Sequence, residues 1–143
     1  MDVGEGEAAG AAVEQAHAQV AFYEQLGFTE VRRFEQFEAN EMETPAGVRI
    51  NLIFNGTCLP HGRNVLLDEP VKLPGVTHPA FVVDDLYALK DWLDQAGIEI
   101  TEGIHRLGPR RITLFIRDPD RNVLEFNQLL PESADAANHS AAQ

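Results

Sequence analysis

The chain has 143 residues, 44% of them hydrophobic and 24% charged, which is enough for one domain or for two small modules that share a core. Its formal net charge of -12, with only 11 lysine and arginine residues, argues against nucleic-acid binding, because a phosphate-binding surface needs clustered basic side chains. A single cysteine, Cys58, excludes an internal disulfide bond, and no apolar run reaches membrane-spanning length, so we expect a cytoplasmic protein without membrane association.

The first half of the chain predicts one long helix followed by strands. Residues 1–7 are small and acidic, and we expect disorder there. From Ala8 to Leu26 alanine dominates and an apolar residue recurs at each turn, which predicts a helix that ends at Gly27. Strands are predicted over Phe28–Phe34, Glu38–Glu43 and Val48–Asn55. These elements form a first module over residues 8–56.

A loop separates this module from the second half. Residues 57–74 carry three prolines and little periodicity, which is typical of a linker. The tail, residues 131–143, is small and polar, and we expect it to be disordered.

The second module, residues 75–130, predicts the order β-α-β-β-β. The run THPAFVV, from Thr77, predicts a first strand, and IEITEGI, RRITLFIRD and NVLEFNQ predict three later ones. The helix between them has Asp84 and Asp85 as possible caps and Gly97 just past its end. Its apolar face is formed by Leu86, Leu89, Trp92, Leu93 and Ala96.

The two halves of the chain match each other. Phe22, Gln25, Gly27 and Phe28 correspond to Trp92, Gln95, Gly97 and Ile98 at a constant offset of 70, and the strand around Asn51 corresponds to the strand around Glu125. The same offset takes His78 to Ala8, which lies in alanine-rich sequence without a strand pattern. The first module therefore lacks its first strand or has it replaced by helix.

Two residues of the second module are candidates for chemistry. His78 and Glu125 lie on its predicted first and last strands, and together they supply half of a nitrogen and oxygen site for zinc, nickel, manganese or ferrous iron. The alternative is that local hydrogen bonds or solvent satisfy both side chains.

Basic residues cluster only at Arg106, Arg110 and Arg111. They either line a pocket for an anionic ligand or form a solvated strand face.

The sequence resembles the glyoxalase, bleomycin-resistance and extradiol-dioxygenase superfamily. The segments that carry the resemblance are GVTHPAFVVDDL, the helix ending in Gln-Ala-Gly, RDPDRNVLEFNQ, and, in the first half, AFYEQLGFTEVRRF and TPAGVRINLIFNG. It covers Val20 to Gln128. It implies an α+β fold of two βαβββ modules with curved mixed sheets around a cleft, the first module lacking its first strand.

The resemblance also implies where metal ligands would lie. The family places up to four in the cleft, and the matching positions here are His78, Glu125, Ala8 and Asn51. Alanine cannot bind a metal and asparagine is a weak donor, so the site is incomplete unless His17, His61, a second chain or water supplies the missing ligands.

Two classes of function follow from the resemblance. The first is a protein that binds a small molecule without a complete metal site, with Asn51, Phe54, Phe81, Phe115 and Phe126 as candidate ligand-binding residues. The second is a divalent-metal-dependent lyase or dioxygenase in which His78 and Glu125 bind the metal and Glu125 is also the catalytic base. A dimerising scaffold is a third alternative. The unpaired strand edge left by the missing strand predicts a homodimer.

Overall fold

The computed structural model describes residues 4–57 and 62–132, with side chains from Glu14 onward. The fold is α+β, as predicted. Its helices are α1 (Gly4–Gln25), α2 (Leu86–Ala96) and a short 3-10 turn (Glu35–Phe37). Its strands are β1 (Thr29–Phe34), β2 (Ala39–Glu43), β3 (Arg49–Ile53), β4 (Ala80–Val82), β5 (Ile100–Arg106), β6 (Arg111–Arg117) and β7 (Val123–Leu129).

The strands form two sheets, one in each half of the chain. The first has the order β1-β2-β3 with antiparallel neighbours, and the second has the order β4-β7-β6-β5, in which β4 runs parallel to β7 and the other pairs are antiparallel. The second module is thus a complete βαβββ unit with a mixed sheet. In the first module no strand precedes α1 among the described residues, in agreement with the prediction that the first strand is missing or replaced by helix, and the sheet is entirely antiparallel.

The duplication is visible at the ends of the two helices. Gly27 and Gly97 both adopt the left-handed conformation, with φ of 94° and 71°. The amide that follows each glycine donates to the carbonyl five residues earlier, Phe28 to Tyr23 and Ile98 to Leu93. This is the Schellman motif, repeated at the offset of 70 read from the sequence.

Helix α2 is fixed at its start by the side chain of Asp85, which accepts hydrogen bonds from the amides of Tyr87 and Ala88. Leu86 and Leu93 are fully buried and belong to a core that includes Leu114 and Leu124 of the sheet. The amide of Leu86 also donates to Gln128 Oε1 at 2.9 Å, so the α2 side of the sheet is the side that carries Gln128.

The chain divides into two compact units. The first runs to Glu69 and includes the turn Asp118–Arg121, and the second comprises Pro70–Arg117 and the chain from Asn122. In the first unit the Tyr23 hydroxyl donates to buried Asp118 at 3.0 Å, and Gln15 contacts Asp120. Burial, reinforced by the Asp118 carboxylate, raises the pKa of the Tyr23 phenol far above 10.

Some expectations fall outside the described residues, namely those for positions 1–3, 58–61 and 133–143. Within the described ranges, no helix is long and apolar enough to cross a membrane.

Candidate functional site

The candidate site lies on one face of the second sheet. Pairing places Ala80 and Phe115 on either side of Glu125, and Thr113 opposite Asn127. Paired residues share a face, and residues two apart on a strand share it as well. Glu125, Asn127, Thr113 and Phe115 therefore lie together on the face opposite to Gln128 and α2.

His78 meets Glu125 on this face. Its Nε2 lies 2.9 Å from Glu125 Oε2, and its Nδ1 lies 2.9 Å from the Thr77 hydroxyl. The neutral tautomer with the proton on Nε2 satisfies both contacts, because Nε2 then donates to the carboxylate and Nδ1 accepts from the hydroxyl. The His78 side chain is 27% exposed and the Glu125 side chain 9%. A histidine and carboxylate in this contact form a pair that can hold or move a proton at Nε2.

His78 reaches this position from a loop and not from a strand, which corrects the sequence prediction. Strand β4 contains only Ala80–Val82, because Pro79 has no amide hydrogen with which to extend the pairing. The Pro79 carbonyl accepts from the amide of Glu125 at 3.0 Å, and this is the first bond between β4 and β7. That bond ties the histidine segment directly to the residue with which His78 pairs.

Two polar residues of the site were not identified from the sequence. Thr113 is fully buried and its hydroxyl contacts Glu125 Oε1 at 3.4 Å, while Asn127 is 3% exposed and its Oδ1 has no hydrogen-bond partner among the described residues. A buried polar atom without a partner is costly and calls for an explanation such as a bound group. The period of two along NVLEFNQ, which puts Asn127 on the face of Glu125, was the signal that pointed to it.

Phe115 is the aromatic residue that joins the site. Its ring centroid lies 5.9 Å from that of His78 and 6.1 Å from that of His105, and the His105 ring is stacked on it at 18°. Phe81 does not share this face: it pairs with Phe126, and the two rings stack at 5.5 Å.

The other predicted residues lie in the first unit. Asn51 is exposed and pairs with Glu41 across β2 and β3. Phe54 follows β3, with the Arg33 guanidinium 5.9 Å from its ring centroid. Ala8 lies within α1, His17 is exposed on the same helix, and His61 lies outside the described residues.

The described donors do not fit a complete site for a divalent metal. Structural and catalytic metal sites use three or four protein ligands. His78 and Glu125 supply two, and within residues 14–57 and 62–132, whose side chains are described, no group of three or more histidine, cysteine, aspartate or glutamate side chains is placed to hold an ion.

Comparison with known proteins agrees with the fold. Residues 8–126 match the family model of the Glyoxalase/Bleomycin resistance protein/Dioxygenase superfamily. No curated protein matches the chain.

Solved structures with the same fold are numerous, and three illustrate the range. A virulence protein from Salmonella typhimurium is 27% identical, with 80% of this chain and 87% of that chain covered and a TM-score of 0.53. A glyoxalase/dioxygenase from Nostoc punctiforme is 18% identical, with 82% and 84% covered and a TM-score of 0.62. A glyoxylase/bleomycin resistance protein/dioxygenase domain from Frankia sp. EAN1pec is 22% identical, with 79% and 87% covered and a TM-score of 0.58. With the family model matching most of its length, the chain belongs to the Glyoxalase/Bleomycin resistance protein/Dioxygenase superfamily.

Proposed function

We propose that the protein binds a small organic molecule on the face of the second sheet that carries His78, Thr113, Glu125 and Asn127, and that it does so without a complete metal site. The observation that carries the proposal is the row of buried polar side chains on this face, where Asn127 Oδ1 has no partner in the part of the chain that the structure describes. A bound molecule that donates a hydrogen bond to this oxygen would remove the cost of its burial. Phe115 supplies an adjacent aromatic surface on which a planar ligand stacks.

The His78–Glu125 pair gives the ligand a polar anchor. Among the described residues Glu125 Oε1 has only the long contact to Thr113, so it retains capacity to accept a hydrogen bond from a ligand. The ligand best suited to this face is planar and carries N–H or O–H donors.

The experiment is a ligand screen of the full chain by thermal shift and NMR, with planar aromatic donors such as phenols and aminoaromatics. We expect compounds that raise the melting temperature of the wild type and fail to do so in Asn127→Leu and Glu125→Gln variants. The matched control is Gln95→Leu, an exposed amide on α2 on the opposite side of the same sheet, which should leave their binding unchanged. Equal stabilisation of all four proteins, or of none, would contradict the proposal.

A metal-dependent lyase or dioxygenase is the second candidate function. It is favoured by one observation: the 2.9 Å separation of His78 Nε2 and Glu125 Oε2 is also the separation of two donors bound to one ion. Metal content is measured on protein purified without chelator, beside His78→Ala, with zinc, nickel, manganese and ferrous iron then added under nitrogen. Near-stoichiometric metal that is lost in His78→Ala would favour this candidate over metal-free binding.

Homodimer formation in the cytoplasm completes the proposal. Strand β3 is an edge strand of the first sheet, and its register with β2 is regular. Strand β1, at the other edge, has a bulge and two arginines, and both features discourage pairing with a strand of another chain. Light scattering behind size exclusion should give twice the mass of one chain, and a proline in place of Asn51 in β3 should reduce it to one chain.

A further inference from the structure

The end of the β5–β6 hairpin is the one basic cluster predicted from the sequence, and the structure places a cavity beside it. Arg106, Arg110 and Arg111 are three of only 11 basic residues in a chain of net charge -12. A cavity of about 340 Å³ lies in the second unit between this hairpin end and the start of α2. Ile112 and Gln128, which line it, pair across β6 and β7 on the α2 side of the sheet, so the cavity is on the opposite face from His78 and Glu125.

The polar groups around this cavity are hydrogen-bond donors. One amino group of Arg106 donates to the Pro109 carbonyl at 2.9 Å, which holds the guanidinium in place and leaves its other N–H groups available. Gln128 accepts from the Leu86 amide through Oε1, which fixes the carboxamide and leaves its NH2 group to donate elsewhere. Tyr87, which is 60% exposed, also lines the cavity and carries a hydroxyl group that can donate.

The rest of the lining is mostly apolar, with the His105 ring as its other polar member. Ile104, Ile112 and Leu130 contribute aliphatic side chains. A pocket with a hydrophobic lining and a few convergent polar groups is the usual form of a small-molecule site, and this volume is at the lower end of the range for such sites.

Arg106 supplies the formal positive charge of the cavity lining. Asp85, which precedes α2, uses its carboxylate to cap the helix. On the same hairpin, Arg110 already pairs with a carboxylate of the chain, that of Glu132, at 2.9 Å. An arginine whose guanidinium is held in place suits a carboxylate, because its planar fork matches the two oxygens.

We propose that this cavity binds a small organic carboxylate, with the carboxylate on Arg106 and Gln128 and the apolar body against Ile104, Ile112 and Leu130. The site is separate from the proposed function and does not depend on it.

The test is titration of the 15N-labelled full chain with sodium benzoate, followed by amide shifts. We expect saturable shifts at Tyr87, Ile104 and Leu130, and none at Ala80 or Glu125. Benzyl alcohol, of similar shape but neutral, should bind at least about tenfold more weakly, since it lacks the charge that strengthens a hydrogen bond to the guanidinium.

Arg106→Gln is the matching variant, and Arg63→Gln is its control. Arg63 is an exposed arginine of the first unit that pairs with Glu69, so its replacement changes the net charge equally. Arg106→Gln should raise the dissociation constant for benzoate at least about tenfold, and Arg63→Gln should change it less than twofold. Any one of four results would overturn the proposal: equal effects of the two variants, equal binding of benzyl alcohol, shifts centred on Ala80 and Glu125, or no saturable shift. Failure of the polar face to bind any screened compound would leave these shifts unaffected.

Discussion

Replacing His78 and Glu125 by alanine, singly and together, measures the interaction at the centre of the candidate site. The two side chains meet at 2.9 Å, with 27% of the histidine and 9% of the glutamate exposed. Exposed pairs contribute up to about 1 kcal/mol, and breaking a buried pair costs about 3–5 kcal/mol. Because His78 is partly solvated, we expect a coupling free energy of about 1–2 kcal/mol.

The assay is urea unfolding of the four proteins, analysed as a double-mutant cycle. His105→Ala supplies the control, since the His105 ring also packs against Phe115 but its Nδ1 contacts the Gly103 carbonyl and not Glu125. The His105–Glu125 cycle should give a coupling free energy below about 0.3 kcal/mol. A His78–Glu125 coupling below about 0.5 kcal/mol would refute the inference that the pair is formed in the folded protein.

Three further predictions concern stability, two at Tyr23 in the first unit and one at Asp85 in the second. Tyr23→Phe leaves buried Asp118 without its hydroxyl donor and should lower the free energy of unfolding by about 1–3 kcal/mol, against less than about 0.5 kcal/mol for the exposed Tyr87→Phe. Above pH 10 the unfolded chain loses the Tyr23 proton, whereas the folded chain keeps it. The free energy of unfolding of the wild type should therefore fall with pH more steeply than that of Tyr23→Phe, by up to about 1.4 kcal/mol per pH unit. Parallel curves for the two proteins would contradict this. Asp85→Ala should cost about 1 kcal/mol in urea unfolding through loss of the α2 cap, whereas Asp84→Ala, one residue outside it, should cost much less.

Local patterns predicted most of the fold. Asp85 and Gly97 bound α2 because capping and left-handed glycine are properties of single positions. The replacement of the first strand by helix followed from the alanine-rich sequence around Ala8. Trp92, placed on the apolar face of α2 by its spacing, is 38% exposed. Spacing predicts which residues form the apolar face, but the extent of packing against the sheet determines how much of that face is buried.

The site was predicted less completely, because it depends on pairing between strands distant in sequence. Phe81 and Phe115 look equivalent as aromatic residues on strands, yet the parallel register of β4 with β7 places Phe81 beside Phe126 on the other face. The contact of His78 with Glu125 spans 47 positions. Their places on the predicted first and last strands made the two residues a candidate pair, and the family resemblance put both at matching ligand positions. The sequence left the role of the arginine cluster open, because the residues that lie beside a hairpin end in the folded protein are distant from it in sequence.

Gln19 gives a final test, in the first unit. It is 3% exposed on α1, one turn from both Gln15 and Tyr23, and neither atom of its amide has a hydrogen-bond partner within the described ranges. A buried amide without partners lowers stability, and an apolar side chain of similar volume removes that cost. Gln19→Met should therefore raise the free energy of unfolding by about 1 kcal/mol, while Gln25→Met, at the exposed end of the same helix, should change it by less than about 0.5 kcal/mol. A loss of stability in Gln19→Met would instead mean that the amide binds a group, such as an ordered water, that methionine cannot hold.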